Sequence, residues 1–270
     1  MPELPDVEGF RRILAEHATG RRIQAVTVED PGVLRDTNPP ALDGATRGRM
    51  FAHPDRRGKW LMAPLRTPGQ RHRSRDPTVI FHFGMTGGLV WTGRIHDEPR
   101  HRDDRVVFCF AEGELRYRDL RKLHGIRLVQ ADDALAPLLS RLGPDAWTVT
   151  AEDFDQALAG LRRQLKPALM DQAVLAGLGN LLVDEILWRA RLQPRRSTSD
   201  LTGADRHRLY RQMRNVLRQS IDRGRVPGYA RWLTGWRDDE DAPCPRCGTP
   251  LRRSRVGGRT TVWCPHCQPE

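Results

Sequence analysis

No run of this chain approaches the about 20 consecutive apolar residues that a membrane-spanning helix needs. Its first residues, MPELPDVEGF, also lack a basic stretch followed by an apolar one. The sequence therefore predicts neither a membrane anchor nor a secretory leader, and a cytoplasmic protein. Cysteine is scarce, with five in 270 residues, and four of these fall in two close pairs near the C-terminal end. That excludes a disulfide framework for an intracellular chain. The fifth, Cys109 in RVVFCFAE, reads as a strand thiol packed like a small hydrophobe. Acidic residues are outnumbered, 34 Asp plus Glu against 45 Lys plus Arg, for a net charge of +11. Such a balance favours a polyanionic partner, because basic groups that neutralise phosphates release condensed counterions. A merely basic protein of an arginine-rich organism has the same balance, so charge alone does not choose. There is no internal repeat and no low-complexity tract.

What is present divides into three textures. PDVEGFRRILAEHATG places Val7, Phe10, Ile13 and Leu14 at helical spacing, with Pro5 near the start and Gly20 just past the end. From Arg21 to about Gln130, short β-rich runs (RRIQAVTVE, KWLMAPL, TVIFHFGM, GGLVW, RVVFCF, ELRYR, IRLVQ) alternate with Gly, Pro and Asp, predicting a sandwich or barrel. TPGQRHRSRDP between two of them predicts a mobile hairpin loop. Beyond RLGPDAWTVTAEDF come helical segments: DFDQALAGLRR, LMDQAVLAG, NLLVDEILWRARL and DRHRLYRQMRNVLRQSIDRG. The last carries an apolar stripe of Leu209, Met213, Val216, Leu217 and Ile221 opposite Arg206, Arg208, Arg211, Arg214 and Arg218. The expected architecture is mixed α+β and multidomain, with segments 1–130, 131–225 and 236–270.

Cys244 and Cys247 are followed, sixteen residues later, by Cys264 and Cys267. Two C-x2-C pairs at this spacing predict a zinc ribbon with one structural Zn2+, around which a tail too short for its own core can fold. Between the pairs, LRRSRVGGRTTVW alternates like a hairpin, with Gly257-Gly258 at its turn and Arg252, Arg253, Arg255 and Arg259 along it. Those arginines suit either a nucleic-acid groove or a solvated face. At Gly177-Leu178-Gly179-Asn180 two helices meet. The glycines let backbone N–H groups approach a phosphate and Asn180 can cap the next helix, although such turns also occur for steric reasons alone. Removal of Met1 before the small Pro2 would leave a free secondary amine, which is a nucleophile.

A terminal Pro-Glu, RRGKW and HFGMTG in a β-rich first half, LMDQAVLAGLGNLLVDEILW and a C-terminal cysteine hairpin occur here in that order. Along essentially its whole length the chain resembles the bacterial formamidopyrimidine-DNA glycosylase and endonuclease VIII family. The resemblance implies an N-terminal β-sandwich with a flanking helix, a helix-two-turns-helix domain and a zinc finger, with damaged double-stranded DNA as partner. It implies a monomer, and a bifunctional glycosylase and AP lyase. Pro2 would attack the anomeric carbon, expel the base and hold the sugar as an iminium, whose charge drives strand cleavage by elimination. An α-amino group, with a reference pKa of about 7.7 to 8.0, is partly unprotonated at neutral pH.

By the same resemblance Glu3 relays protons beside that amine, unless it is an ordinary helix-entry carboxylate. Lys59, which by itself reads as a turn residue after Gly58, reaches the lesion's phosphates from a strand and assists base departure, Asn180 and Arg259 clamp phosphates, and Glu185 orients the amine. Met85, Arg121 and Leu123 occupy the wedge that holds open the gap left by a flipped base. Leu123 stands where the family has an aromatic ring, and Asp6 where it commonly has glutamate. PELP and YRDLRK look like the purine-directed branch, whereas LMDQAVLAGLGN, VDEILW and WCPHCQ look like the pyrimidine-directed one. The stretch from Gly224 to Cys244 is short, where purine-directed members have a loop that closes over 8-oxoguanine. The expected lesions are therefore oxidised pyrimidines, ring-opened purines or hydantoins. Alternatives are a non-catalytic zinc-containing protein that binds damaged DNA, and a glycosylase specialised for abasic or cross-linked DNA.

Overall fold

Alternation of apolar residues shapes the first half of the chain. The computed structural model describes residues 1–71, 73–93, 99–130 and 135–270. It divides into two compact units, one of Met1–Pro2 with Asp6–Ser140 and one of Glu3–Pro5 with Arg141–Glu270. In chain order the first part contains α1 (Leu4–Ile13), a π-turn over Leu14–Ala18, β1 (Ala25–Val28), β2 (Leu34–Arg35), α2 (Pro39–Thr46) and β3 (Met50–Phe51). There follow β4 (Asp55–Arg57), β5 (Trp60–Arg66), β6 (Thr78–His82), β7 (Gly88–Thr92), β8 (Asp104–Phe110), β9 (Gly113–Arg118), β10 (Gly125–Val129) and α3 (Ala136–Leu139).

The strands form two sheets, ordered β1-β8-β9-β7 and β2-β10-β6-β5-β3, with β4 also on β5. Leu61, Val79 and Phe81 from one sheet and Val106, Phe108, Leu115 and Tyr117 from the other are buried in a common core. There Phe81 meets Phe108 edge-on at 6.0 Å. This is the expected sandwich, and Val7 and Leu14 of the flanking helical segment pack into it. TPGQRHRSRDP does join β5 to β6 as a hairpin, with Arg73 N donating to Asp76 Oδ2 at 2.8 Å. His72 in it lies outside the described residues. Cys109 is half-buried, and burial pushes its thiol up, away from the reactive thiolate.

The second unit is helical: α4 (Ala151–Leu158), α5 (Leu165–Met170), α6 (Asn180–Ala190) and α7 (Gly203–Arg223), then β11 (Arg252–Val256) and β12 (Arg259–Trp263). α7 starts on a capping box of Thr202 and Asp205 and ends at Gly224, whose φ of +63° is a left-handed cap. Its stripe Leu209, Met213, Val216, Leu217 and Ile221 is buried against Leu182, Val183, Ile186 and Leu187 of α6. The helix expected across LMDQAVLAG is shorter, since α5 stops at Met170. Gln172 is the reason: its Nε2 donates to Met170 O at 2.8 Å and Leu178 O at 2.9 Å, and its Oε1 accepts from Gly177 N at 2.9 Å. Those bonds satisfy the backbone of two turns rather than of a helix. Among the described residues, no helix is long and apolar enough to cross a membrane.

Candidate active site

The Gly-Leu-Gly-Asn turn receives Glu3 and Leu4. Glu3 is fully buried, its Oε1 accepting from Leu181 N at 2.8 Å and its Oε2 from Leu182 N at 3.1 Å. These are the second and third residues of α6, whose N–H groups lack partners within the helix. A carboxylate at a helix N-terminus also meets the positive end of the dipole. Glu3, the residue just before α1, is therefore also the cap of a helix remote in sequence. The N-cap position of α6 is Gly179, without a side-chain cap, so the expected capping by Asn180 does not occur. Asn180 is instead the first helical residue, and its Oδ1 is buried without a partner.

The turn's glycines serve this docking. A Cβ on Gly179 would lie 2.3 Å from Glu3 Cδ, and one on Gly177, whose φ is +113°, would lie 2.5 Å from Leu4 Cδ1. Leu4 N donates to Gly177 O at 3.0 Å. Pro2, half-buried, is the residue just before this anchored carboxylate.

Glu185 lies one turn and more along α6 and is also fully buried. Its Oε1 accepts from Arg189 Nε at 2.6 Å and its Oε2 from Thr234 N at 3.2 Å. Burial pushes its carboxyl up, with Arg189 opposing. Both oxygens are thus engaged, and they hold the segment after α7 against α6.

In the first unit several expected residues come together. Arg121 Nη1 lies 2.9 Å from Met85 Sδ. Leu123 follows in the same loop, and a Cβ on Gly84 would sit 3.5 Å from Leu123 Cβ. The loop is pinned: Arg121 N is in reach of Thr86 Oγ1 at 3.0 Å and Asp119 Oδ1 at 3.1 Å, while Lys122 Nζ donates to Asp30 Oδ2 at 2.8 Å. Arg35 Nη2 donates to Lys122 O at 2.7 Å. Leu120 and Leu123 are 56% and 47% exposed, among only three large apolar side chains left open in the described residues. The pinned loop thus keeps two leucines in water, an exposure that core packing does not explain. Leu120 escaped the sequence reading because a single apolar residue before Arg121 has no period to mark it.

Lys59 is not on a strand but in the turn Gly58-Lys59, between the paired Arg57 and Trp60 of β4 and β5. Its charge is one of three influences on His82, whose pKa falls to about 3 through burial, then His124, then Lys59. His82 Nδ1 accepts from Gly84 N at 3.1 Å, so this neutral ring carries its proton on Nε2. The His82 ring lies 4.0 Å from His124 and 4.5 Å from Trp60. A small cavity of 110 Å³ beside them is lined by Arg35, Trp60, His82, Leu123, His124 and Arg127. The two histidines were not singled out in the sequence, where His82 reads as a strand end.

The four expected cysteines converge, with all their sulfurs within 4.8 Å of one another. Cys244 and Cys267 sulfurs are 3.9 Å apart, and Cys247 and Cys264 sulfurs 3.5 Å. Tetrahedral Zn2+ at about 2.3 Å from each thiolate requires S···S spacings of about 3.8 Å, so the donor set and its geometry fit one structural zinc. Arg259, at the start of β12, is exposed. Its neighbour Thr260 is held from within: Thr260 O accepts from Lys166 Nζ at 3.0 Å and Arg237 Nη2 at 2.7 Å. Both cations also donate to the buried Asp184, at 2.6 Å and 3.1 Å. Gly257 packs on α5, where a Cβ would lie 2.7 Å from Pro167 Cγ.

These parts define a mixed α+β protein made of a β-sandwich, a helix-two-turns-helix and a C-terminal four-cysteine zinc finger. Residues 1–126 match the formamidopyrimidine-DNA glycosylase N-terminal domain, 142–227 its H2TH domain, and 242–269 the zinc finger found in FPG and IleRS. The formamidopyrimidine-DNA glycosylase of Symbiobacterium thermophilum is 36% identical, over 100% of this chain and 90% of its own. That of Heliobacterium modesticaldum is 36% identical, over 99% of this chain and 100% of its own. The structure is similar to Lactococcus lactis Fpg bound to DNA containing an AP site, with a TM-score of 0.84 and 28% identity over the whole of both chains. It is equally similar to wild-type Lactococcus lactis Fpg on DNA with N7-benzyl-Fapy-dG, at a TM-score of 0.85 and 29% identity over the whole of both chains. The chain belongs to the formamidopyrimidine-DNA glycosylase family.

Proposed function

We propose that this chain is a DNA glycosylase of base excision repair that removes oxidised bases and then cleaves the strand at the abasic site, working in the cytoplasm. The observation that carries the reading is the capture of Glu3 by the N-terminus of α6, which fixes a carboxyl group next to Pro2. With Met1 removed, the Pro2 nitrogen bonds to C1′ as the glycosidic bond breaks and its electron pair leaves with the base, which takes a proton from water; the proton shed by the Pro2 nitrogen passes through the Glu3 carboxyl to O4′ as the C1′–O4′ bond breaks, and the open sugar is left as an iminium. Loss of a C2′ proton and departure of the 3′ phosphate complete the elimination. A secondary amine forms that cation without a further proton, which suits a nucleophile whose reference pKa is about 7.7 to 8.0.

Around the flipped nucleotide, Lys59, Asn180 and Arg259 take the phosphates, while Met85, Arg121 and Leu123 fill the duplex gap. Glu185 supports the site through the segment it holds. That segment also bears on the lesion: Thr234 Oγ1 donates to Pro227 O at 2.6 Å and Trp236 Nε1 to Ala230 O at 2.6 Å, so residues 227–236 close on themselves. A short, self-tied connection supports oxidised pyrimidines, ring-opened purines or hydantoins as substrates over 8-oxoguanine.

The test combines intact mass, which reports removal of Met1, with borohydride trapping on abasic DNA. The wild-type protein should trap covalently and Pro2→Gly should lose at least about 100-fold in excision, as expected for removal of a positioned nucleophile. Damaged-DNA binding without trapping or excision would establish the non-catalytic reading instead. A panel of single defined lesions ranks the substrates, and a marked preference for 8-oxoguanine would overturn the assignment of lesion class.

A further inference from the structure

We infer that the C-terminal end of α6 carries a second nucleic-acid site, which holds the phosphodiester backbone of undamaged DNA outside the lesion-processing residues. The inference shares with the proposed function only that the ligand is DNA. α6 is eleven residues long, so about 16 Å of helix separates Asn180 from this end. A cleft of 390 Å³ opens there, lined by Trp188, Arg189, Arg191, Gln212, Arg231 and Arg246, with no carboxylate in its wall among the described residues. A neighbouring cavity, also of 390 Å³, shares Arg191 and Arg246 and runs on to His266 at the zinc hairpin.

Three of the four arginines rest on aromatic rings. The Arg246 guanidinium lies 4.2 Å over the Trp188 ring and its Nη1 donates to Trp188 O at 3.1 Å. Arg189 lies 4.3 Å over Trp232, fixed by Glu185. Arg231 lies 5.5 Å from the centre of the Tyr229 ring. Stacking on a ring leaves the in-plane N–H groups free for planar, bidentate acceptors. Of the lining arginines only Arg189 has a carboxylate partner among the described residues.

A helix C-terminus attracts cations, but that need is already met here. Arg208 Nε donates to Ala190 O at 2.7 Å and Arg246 to Trp188 O. Arg191 and Arg231 exceed it, and like charges facing one another across a concave wall repel unless an anion joins them. Phosphate fits better than an acidic peptide, because the wall offers guanidinium and amide donors and its indole is already covered by Arg246. Contacts of this kind carry no sequence information and serve a protein that must scan undamaged duplex.

The test is the full-length variant Arg191→Glu, compared with Arg162→Glu, which removes the same charge at an exposed position that does not line the cleft. On a long undamaged duplex the cleft variant should bind about threefold more weakly near 0.1 M salt, and its log–log salt slope should shrink by about 0.9, for one lost phosphate. Excision from a short lesion duplex should be unchanged. Equal weakening by the control variant would overturn the site, as would an unaltered slope or a parallel loss of short-duplex excision. Polyglutamate that binds the wild type but not the cleft variant, with DNA binding intact, would assign the cleft to acidic protein instead.

Discussion

A carboxylate that caps a helix 178 positions away can be examined one atom at a time. Glu3→Ala leaves the half-buried Leu181 N–H and the buried Leu182 N–H without acceptors, the latter at about 1–3 kcal/mol, and should lower the thermal midpoint accordingly. Gly179→Ala should reproduce that loss, since its new Cβ would overlap Glu3 Cδ. The double variant should recover part of it, because the clash disappears with the side chain; strictly additive losses would contradict the coupling. His82 offers a titration. Its folded pKa of about 3 lies below the 6.5 of an unfolded histidine. Below pH 6.5 the unfolded chain therefore takes up a proton that the folded one does not. Stability should be level above that pH and decline as pH falls towards 3, and unfolding curves of His82→Gln should lack that component.

At the level of elements, Lys166, Asp184 and Arg237 tie α5, α6 and the segment after α7 to β12. Burial pulls the Lys166 amine below its ordinary value, opposed chiefly by Asp184. Asp184→Asn removes that opposition and leaves two cations facing each other, which should destabilise the protein by about 3–5 kcal/mol in denaturant titrations. It should also hasten zinc loss to a chelator, because Thr260 O and Val262 N lose their shared anchor. Trp188 is a built-in reporter of that loss, its indole Nε1 donating to Cys244 Sγ at 3.4 Å. Stripping the metal should shift its fluorescence, and a chelated protein with an unchanged spectrum would contradict the geometry. Element patterns were legible wherever a period could run. The seven alternating segments became strands, and the α7 stripe became core. β2, β3 and β4 have two or three residues each and carry no period, and α2 has a proline start that reads equally as a loop.

Across the whole molecule, the net charge of +11 sets a further expectation. The logarithm of the affinity for undamaged duplex should fall linearly with the logarithm of salt, and a flat response in a binding titration would refute a phosphate-dominated interaction. The cysteine quartet was readable from spacing alone, because a metal imposes its distances on the chain. The task of the glycine turn was not. Gly177 and Gly179 signal a close approach without saying of what, and the visitor proved to be Glu3, a partner that no local pattern could connect to them.

That long reach has a bearing on how the molecule comes into being. Glu3 is synthesised long before Leu181 and Leu182, the two residues whose backbone N–H groups hold its carboxylate. A fragment released before they are made would leave that carboxylate without its donors, so the docking of the first helix onto α6 is withheld until synthesis is well advanced.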